Sequence, residues 1–209
     1  MDDTDDRRAA FEAALGSEYF ALQGLRASSI SEAGSRAALY FTTLTGTLLA
    51  LGFLAGTTDA VAPVAYAAVP IVVVLGVLSF LRLVDIAIED VAAVRAINRI
   101  RGYYAQLAPE ATAYFPSPRE EQEINTLVDT GVGRARWKEA LTTAATVGTV
   151  NTLMCGAAAA FALSDVGVPL AGAVLLGVAL AVAIGWWQYR YQDRRFAQVL
   201  NQSPPVTSK

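Results

Sequence analysis

The side chains with the most chemical content in this chain are hydroxyls and one amide set into apolar stretches. Thr43 and Thr47 stand four residues apart, Thr142, Thr146 and Thr149 recur at spacings of four and three, and Asn151 and Thr152 follow at once. Residues three and four apart share a helix face, so each group forms a polar stripe. Such a stripe can do two kinds of work. Threonine hydroxyls can bond back to the carbonyl one turn earlier or across to another helix, which makes them glue. Arranged around a symmetry axis, they can instead replace water around a small ion. Asn151 is the most demanding member, because an amide in hydrocarbon needs a partner helix, an aqueous lumen or another subunit.

Other chemistry is poorly supplied. Histidine is absent, which removes the usual neutral-pH base and the commonest metal ligand. Cys155 is the single cysteine, so neither an internal disulfide nor a thiolate zinc cluster can form. Gly131-Val132-Gly133 reads as a turn after Asp129 and not as a phosphate loop. Glu120, Glu121 and Glu123 read as a solvated acidic face. Asp85 and Glu89, with Asp90, form the best cluster for collecting cations, although pairing with Arg82 or neighbouring arginines is the plainer reading. No cofactor or metal is expected. A net charge of −3 with acids mixed among the arginines leaves no footprint for nucleic acid.

The elements that carry these residues are dictated by apolar clustering. The chain is 54% hydrophobic and 17% charged, and the apolar residues gather into four blocks at 37–56, 63–81, 141–163 and 169–187. Each is close to the roughly 20 helical residues that cross a hydrocarbon core of about 30 Å. None carries Asp, Glu, Lys or Arg in its interior, which argues against a proton relay. The expected solvent is membrane lipid. Residues 1–36 are polar and periodic, unlike a cleaved signal peptide.

The sixteen Lys and Arg residues fall in three groups: before the first block, between the second and third, and after the fourth. The short connections after blocks one and three carry only Asp59 and Asp165. An even number of spans puts all three basic groups in one compartment, and the positive-inside rule makes it the cytoplasm. The localisation expected is therefore the cell membrane, multi-pass, with both termini cytoplasmic. Trp186, Trp187, Tyr189 and Tyr191 gather at the inner end of the fourth span, where amphipathic rings are favoured.

The two halves follow one plan. Thr-rich openings start spans one and three, Pro63 and Pro169 start spans two and four, and Arg82-Leu83-Val84-Asp85 and Arg190-Tyr191-Gln192-Asp193 follow them. The fold class expected is all-α: a polytopic membrane protein with four transmembrane helices in two parallel-repeated hairpins and cytoplasmic helical extensions. Its segments are an amphipathic N-terminal helix at 1–36, a hairpin at 37–81, a cytoplasmic helical segment at 82–140, a second hairpin at 141–187, and a C-terminal helix and tail at 188–209. The apolar positions Phe11, Leu15, Tyr19, Leu22 and Leu25 give the first helix one face, with a break expected at Ser28-Ser29 or Gly34 if it does not run straight into the first span. Val84, Ile88, Val91 and Val94 continue a stripe beyond the second span toward Ile97 and Ile100. Ser117-Pro118-Arg119-Glu120 predicts a short helix near 118–128. Pro70 removes a backbone donor inside span two and is the candidate hinge. Gly148 and Gly156, with Gly172 and Gly177 on span four and Gly46 and Gly52 on span one, mark where helices can approach closely.

The function these features point to first is a homo-oligomeric membrane channel for small ions, with Thr43, Thr47, Thr142, Thr146, Thr149 and Asn151 as pore-lining or interhelical polar residues. One alternative is a noncatalytic scaffold or sensor that recruits a cytoplasmic protein partner through the stripes at 11–25 and 84–100. The other is a membrane enzyme acting on lipid around Glu120, Glu123 or Asp85, for which no residue pair supplies a nucleophile and a base.

Overall fold

The computed structural model describes residues 3–56, 61–107 and 143–201. They form four α-helices: α1 (Asp3–Ala55), α2 (Val61–Leu107), α3 (Thr143–Asp165) and α4 (Leu170–Asn201). All four are long and apolar enough to cross a membrane. Thr142, the helix expected near 118–128 and the acidic face at Glu120, Glu121 and Glu123 lie outside the described residues.

The protein's exposed surface is what identifies the expected solvent. Phe53 is 77% exposed, and Ile71, Leu170 and Leu175 are close behind. Soluble monomers rarely expose contiguous apolar area on this scale. The architecture is an all-α bundle of hydrophobic helices consistent with a membrane-spanning fold.

α1 has 53 residues and α2 has 47. At 1.5 Å per residue their contour lengths are about 80 and 70 Å, more than twice the thickness of a hydrocarbon core. α1 shows no interruption at Ser28-Ser29 or Gly34. Each exposed glycine there costs at most about 1 kcal/mol of helix propensity, too little to break a helix of this length. Pro70 likewise sits inside α2 without ending it. Pro63 falls in the first turn of α2, where its missing N–H is no loss.

The chain divides into two compact units. The described part of the first contains residues 3–32 and 86–107. Its core is a stripe on α2 at Ile86, Ala93, Ile97 and Ile100, with Ser29 buried on α1. Phe11 meets Tyr103 edge-on, 5.6 Å between centroids. The Tyr104 hydroxyl donates to the Glu12 carbonyl at 3.1 Å, and Arg101 donates to the Tyr19 hydroxyl at 3.3 Å. Arg26 Nε pairs with Asp90 at 2.8 Å. These contacts join α1 between Phe11 and Arg26 to α2 between Asp90 and Tyr104.

The second unit holds residues 33–56, 61–85 and 143–201. Ala37, Tyr40 and Leu44 of α1, Val72, Phe80, Leu83 and Val84 of α2, Ala144 and Val147 of α3, and Ala173 of α4 are buried there. α3 and α4 are joined by a tight turn. Gly167 adopts φ +93°, and its N–H and that of Val168 donate to the Ser164 and Leu163 carbonyls at 3.1 and 3.0 Å. These two bonds satisfy carbonyls that the end of a helix leaves open. A left-handed residue here is cheap only for glycine. Gly167→Ala is expected to destabilise the fold by about 1 kcal/mol, read as a lowered thermal midpoint in detergent.

Candidate functional site

The polar residues of the second unit converge on one buried node to which all four helices contribute. Tyr40 comes from α1, Asn151 and Thr152 from α3, and Gln188 from α4, each less than a tenth exposed, while α2 meets Asn151 at Gly76. The Tyr40 hydroxyl donates to Asn151 Oδ1 at a long 3.4 Å. The Thr152 hydroxyl donates to Gln188 Oε1 at 3.0 Å. Asn151 Nδ2 is buried with no hydrogen-bond acceptor in the protein. Leaving such a donor unmet costs roughly 1–3 kcal/mol, so the node holds the helices in register at some expense.

Glycines make the node possible. Asn151 enters α2 at Gly76, where an added Cβ would collide with the Asn151 amide and stand 2.8 Å from the Tyr40 ring. At Gly148 a Cβ would stand 2.8 Å from Phe80 and 2.9 Å from Gln188 Oε1. The closest helix crossing is Gly156 on Gly177: a Cβ on Gly156 would lie 2.7 Å from the Gly177 carbonyl oxygen, and a Cβ on Gly177 would strike the Gly156 carbonyl. Gly46 and Gly52 have open space around them, and Gly172 has only ordinary contact with Val168.

The hydroxyls singled out in the sequence separate. Thr43 bonds back to the Leu39 carbonyl at 2.8 Å, and Thr47 is half-buried. Thr146 and Thr149 are exposed, whereas Asn151 is fully buried. Pro70 is exposed on α2. Asp85 accepts from Arg195 Nη2 at 2.6 Å, and that bond, with the Asp85 charge, raises the Arg195 guanidinium above its ordinary value. Glu89 is exposed one turn further along α2. Asp85 thus finds a cation on α4, 110 residues away. Among the described residues, no three His, Cys, Asp or Glu side chains gather where they could hold a metal.

The two ends of the second unit are chemically distinct. Near the α3–α4 turn, the Tyr66 hydroxyl donates to Asp165 at 3.0 Å and its ring lies 6.1 Å from Phe161. Toward the end of α4, Trp187 stacks on Tyr191 at 5.8 Å and Arg190 lies over the Trp186 ring at 5.7 Å. This is the chemistry of a bilayer interface, with amphipathic rings and cations together.

Tyr40, Gly76 and Gln188 were not among the residues picked out by spacing. Gln188 was the readable one, since it is an amide directly after an apolar block. Gly76 carried no sign of its role, because a glycine in an apolar run is common in membrane helices. Searches of known protein families, curated proteins and solved structures return no match to this chain.

Proposed function

We propose that the chain is a multi-pass membrane protein of two hairpins, with both termini and the 82–140 segment in the cytoplasm, that assembles with copies of itself into a channel for small ions. The observation that carries this reading is Thr146, an exposed hydroxyl-bearing residue within the apolar run of α3. The Tyr40–Asn151 and Thr152–Gln188 bonds lie inside one chain, so a conducting path is built from exposed hydroxyl-bearing residues around a symmetry axis. Thr146 is the central candidate, with Thr43 and Thr47 flanking on α1. Thr142 belongs to the same sequence stripe.

Purified protein in planar lipid bilayers is expected to give discrete single-channel currents. Thr146→Val, which keeps shape and removes the hydroxyl, lowers the unitary conductance in this account. Silent bilayers from a preparation shown to be folded and inserted would remove the channel reading.

A second reading, the scaffold or sensor, draws on a different feature. Phe20, Leu25 and Ile30 are 76%, 48% and 63% exposed on the first unit, apolar surface left after the facing stripes have packed. A cytoplasmic partner held there would be lost on Phe20→Ser, and a partner retained by that variant would count against this reading.

A further inference from the structure

We propose that the groove between α3 and α4 binds one membrane glycerolipid, with an acyl chain along its apolar end and the ester region at Gln188 and Gln192. The groove has a volume of about 370 Å³, within the range of sites that hold small ligands. It lies on the side of the Gly156–Gly177 crossing away from the turn, with Phe80 of α2 also in its wall.

Its lining is ordered along the helix axis. Nearest the crossing are Leu153, Val178, Ala181 and Val182; Thr152 and Gly185 follow; Thr149, Gln188, Tyr189 and Gln192 form the other end. Arg190 over Trp186 lies level with that end, and the Arg195–Asp85 pair lies just past it. A glycerolipid has the same order: hydrocarbon, then ester carbonyls, then a head group at the surface. Gln188 supplies the specific contact. It is only 6% exposed, and its Oε1 already accepts from Thr152. Its amide nitrogen remains a donor, and an ester carbonyl is an acceptor without a proton of its own. A second polypeptide helix fits less well, because its backbone carbonyls are already bonded internally.

The inference rests on the membrane assignment and not on the channel. The test uses the full chain in phosphatidylcholine nanodiscs containing a trace of phosphatidylcholine with a photoactivatable diazirine in one acyl chain, placed either beside the ester or near the terminal methyl. In the wild-type protein the ester-proximal probe is expected to label around 188–192, and the distal probe around 178–182 and Leu153. Both should exceed labelling at the exposed Leu170 and Leu175. Gly185→Leu fills the groove without striking backbone, since a Cβ there meets only Thr152 Cγ2 at 3.7 Å. Groove labelling should then fall about tenfold while labelling at Leu175 stays unchanged. Equal labelling of all exposed apolar faces by both probes would mean annular lipid alone and would overturn the proposal. So would groove labelling unchanged in folded Gly185→Leu. The wild-type labelling order decides the matter even if that variant does not fold. A chain that never enters nanodiscs would fail the membrane assignment instead.

Discussion

Gly177→Val is expected to separate α3 from α4 and to cost about 3 kcal/mol or more, at or beyond the upper end of the usual range for overpacking. The reason is what the new side chain meets. A Cβ on Gly177 strikes the backbone carbonyl of Gly156 and stands 3.0 Å from Ala160 Cβ. Backbone cannot rotate away as a flexible side chain can, so the whole crossing must open. Opening it removes the close contact that holds these helices together and disturbs Thr152–Gln188 beyond it. A loss of this size shifts the folded-to-unfolded ratio by roughly two orders of magnitude. It should appear as a collapsed thermal midpoint and new accessibility of the free Cys155 to a thiol reagent. Gly46→Ala is the matched control: nothing lies within 4 Å of its added methyl, and helix propensity favours the change by up to about 1 kcal/mol.

The second large effect is at Gly76, and it has a built-in rescue. Gly76→Ala places a methyl group where the Asn151 amide and the Tyr40 ring already are. The expected loss is about 1–3 kcal/mol. Asn151→Ala removes the nearer of the two obstacles and leaves the Tyr40 ring at 2.8 Å. Alone, that change gives up the long bond from Tyr40 and leaves a small cavity, but it also removes an amide nitrogen buried without an acceptor. These effects partly cancel. The double variant should therefore be more stable than the sum of the single losses implies, with a coupling of about 1–3 kcal/mol. Equilibrium unfolding of the four proteins in mild detergent gives the cycle. Additive losses would mean that Asn151 does not occupy the notch at Gly76.

The contrast between these residues and the four apolar blocks shows what the sequence made readable. Lipid acting as solvent imposes a length and an uninterrupted apolar composition on a crossing helix, and both are visible one residue at a time. The block at 141–163 accordingly sits within a few residues of α3, and the block at 169–187 starts next to α4, which runs on to Asn201. The connection between them was also legible, as a short break carrying Asp165 ahead of Pro169, whereas Gly167 as the left-handed residue was not singled out. The uninterrupted passage of α1 through Ser28, Ser29 and Gly34 was harder, since weak local preferences are overruled by contacts that spacing does not reveal.

Partnership was least legible of all. Tyr40 and Asn151 are 111 residues apart, and Arg195 and Asp85 are 110 apart. Nothing local distinguishes Gly76, which receives a side chain, from Gly46, which faces open space. The threonine stripe illustrates the same limit. Thr146, Thr149 and Thr152 look alike in sequence, yet the first two are exposed and the third is buried against Gln188.

The claim beneath every proposal is that four helices cross the bilayer with both short connections on one side. Single cysteines at Asp59, Glu120, Val166 and Ser203, introduced after Cys155→Ser, can be probed in intact cells with an impermeant maleimide. Asp59→Cys and Val166→Cys should react without permeabilisation, and Glu120→Cys and Ser203→Cys only after it. Reaction of either connection together with Glu120→Cys, or of the two connections from opposite sides, would contradict the account.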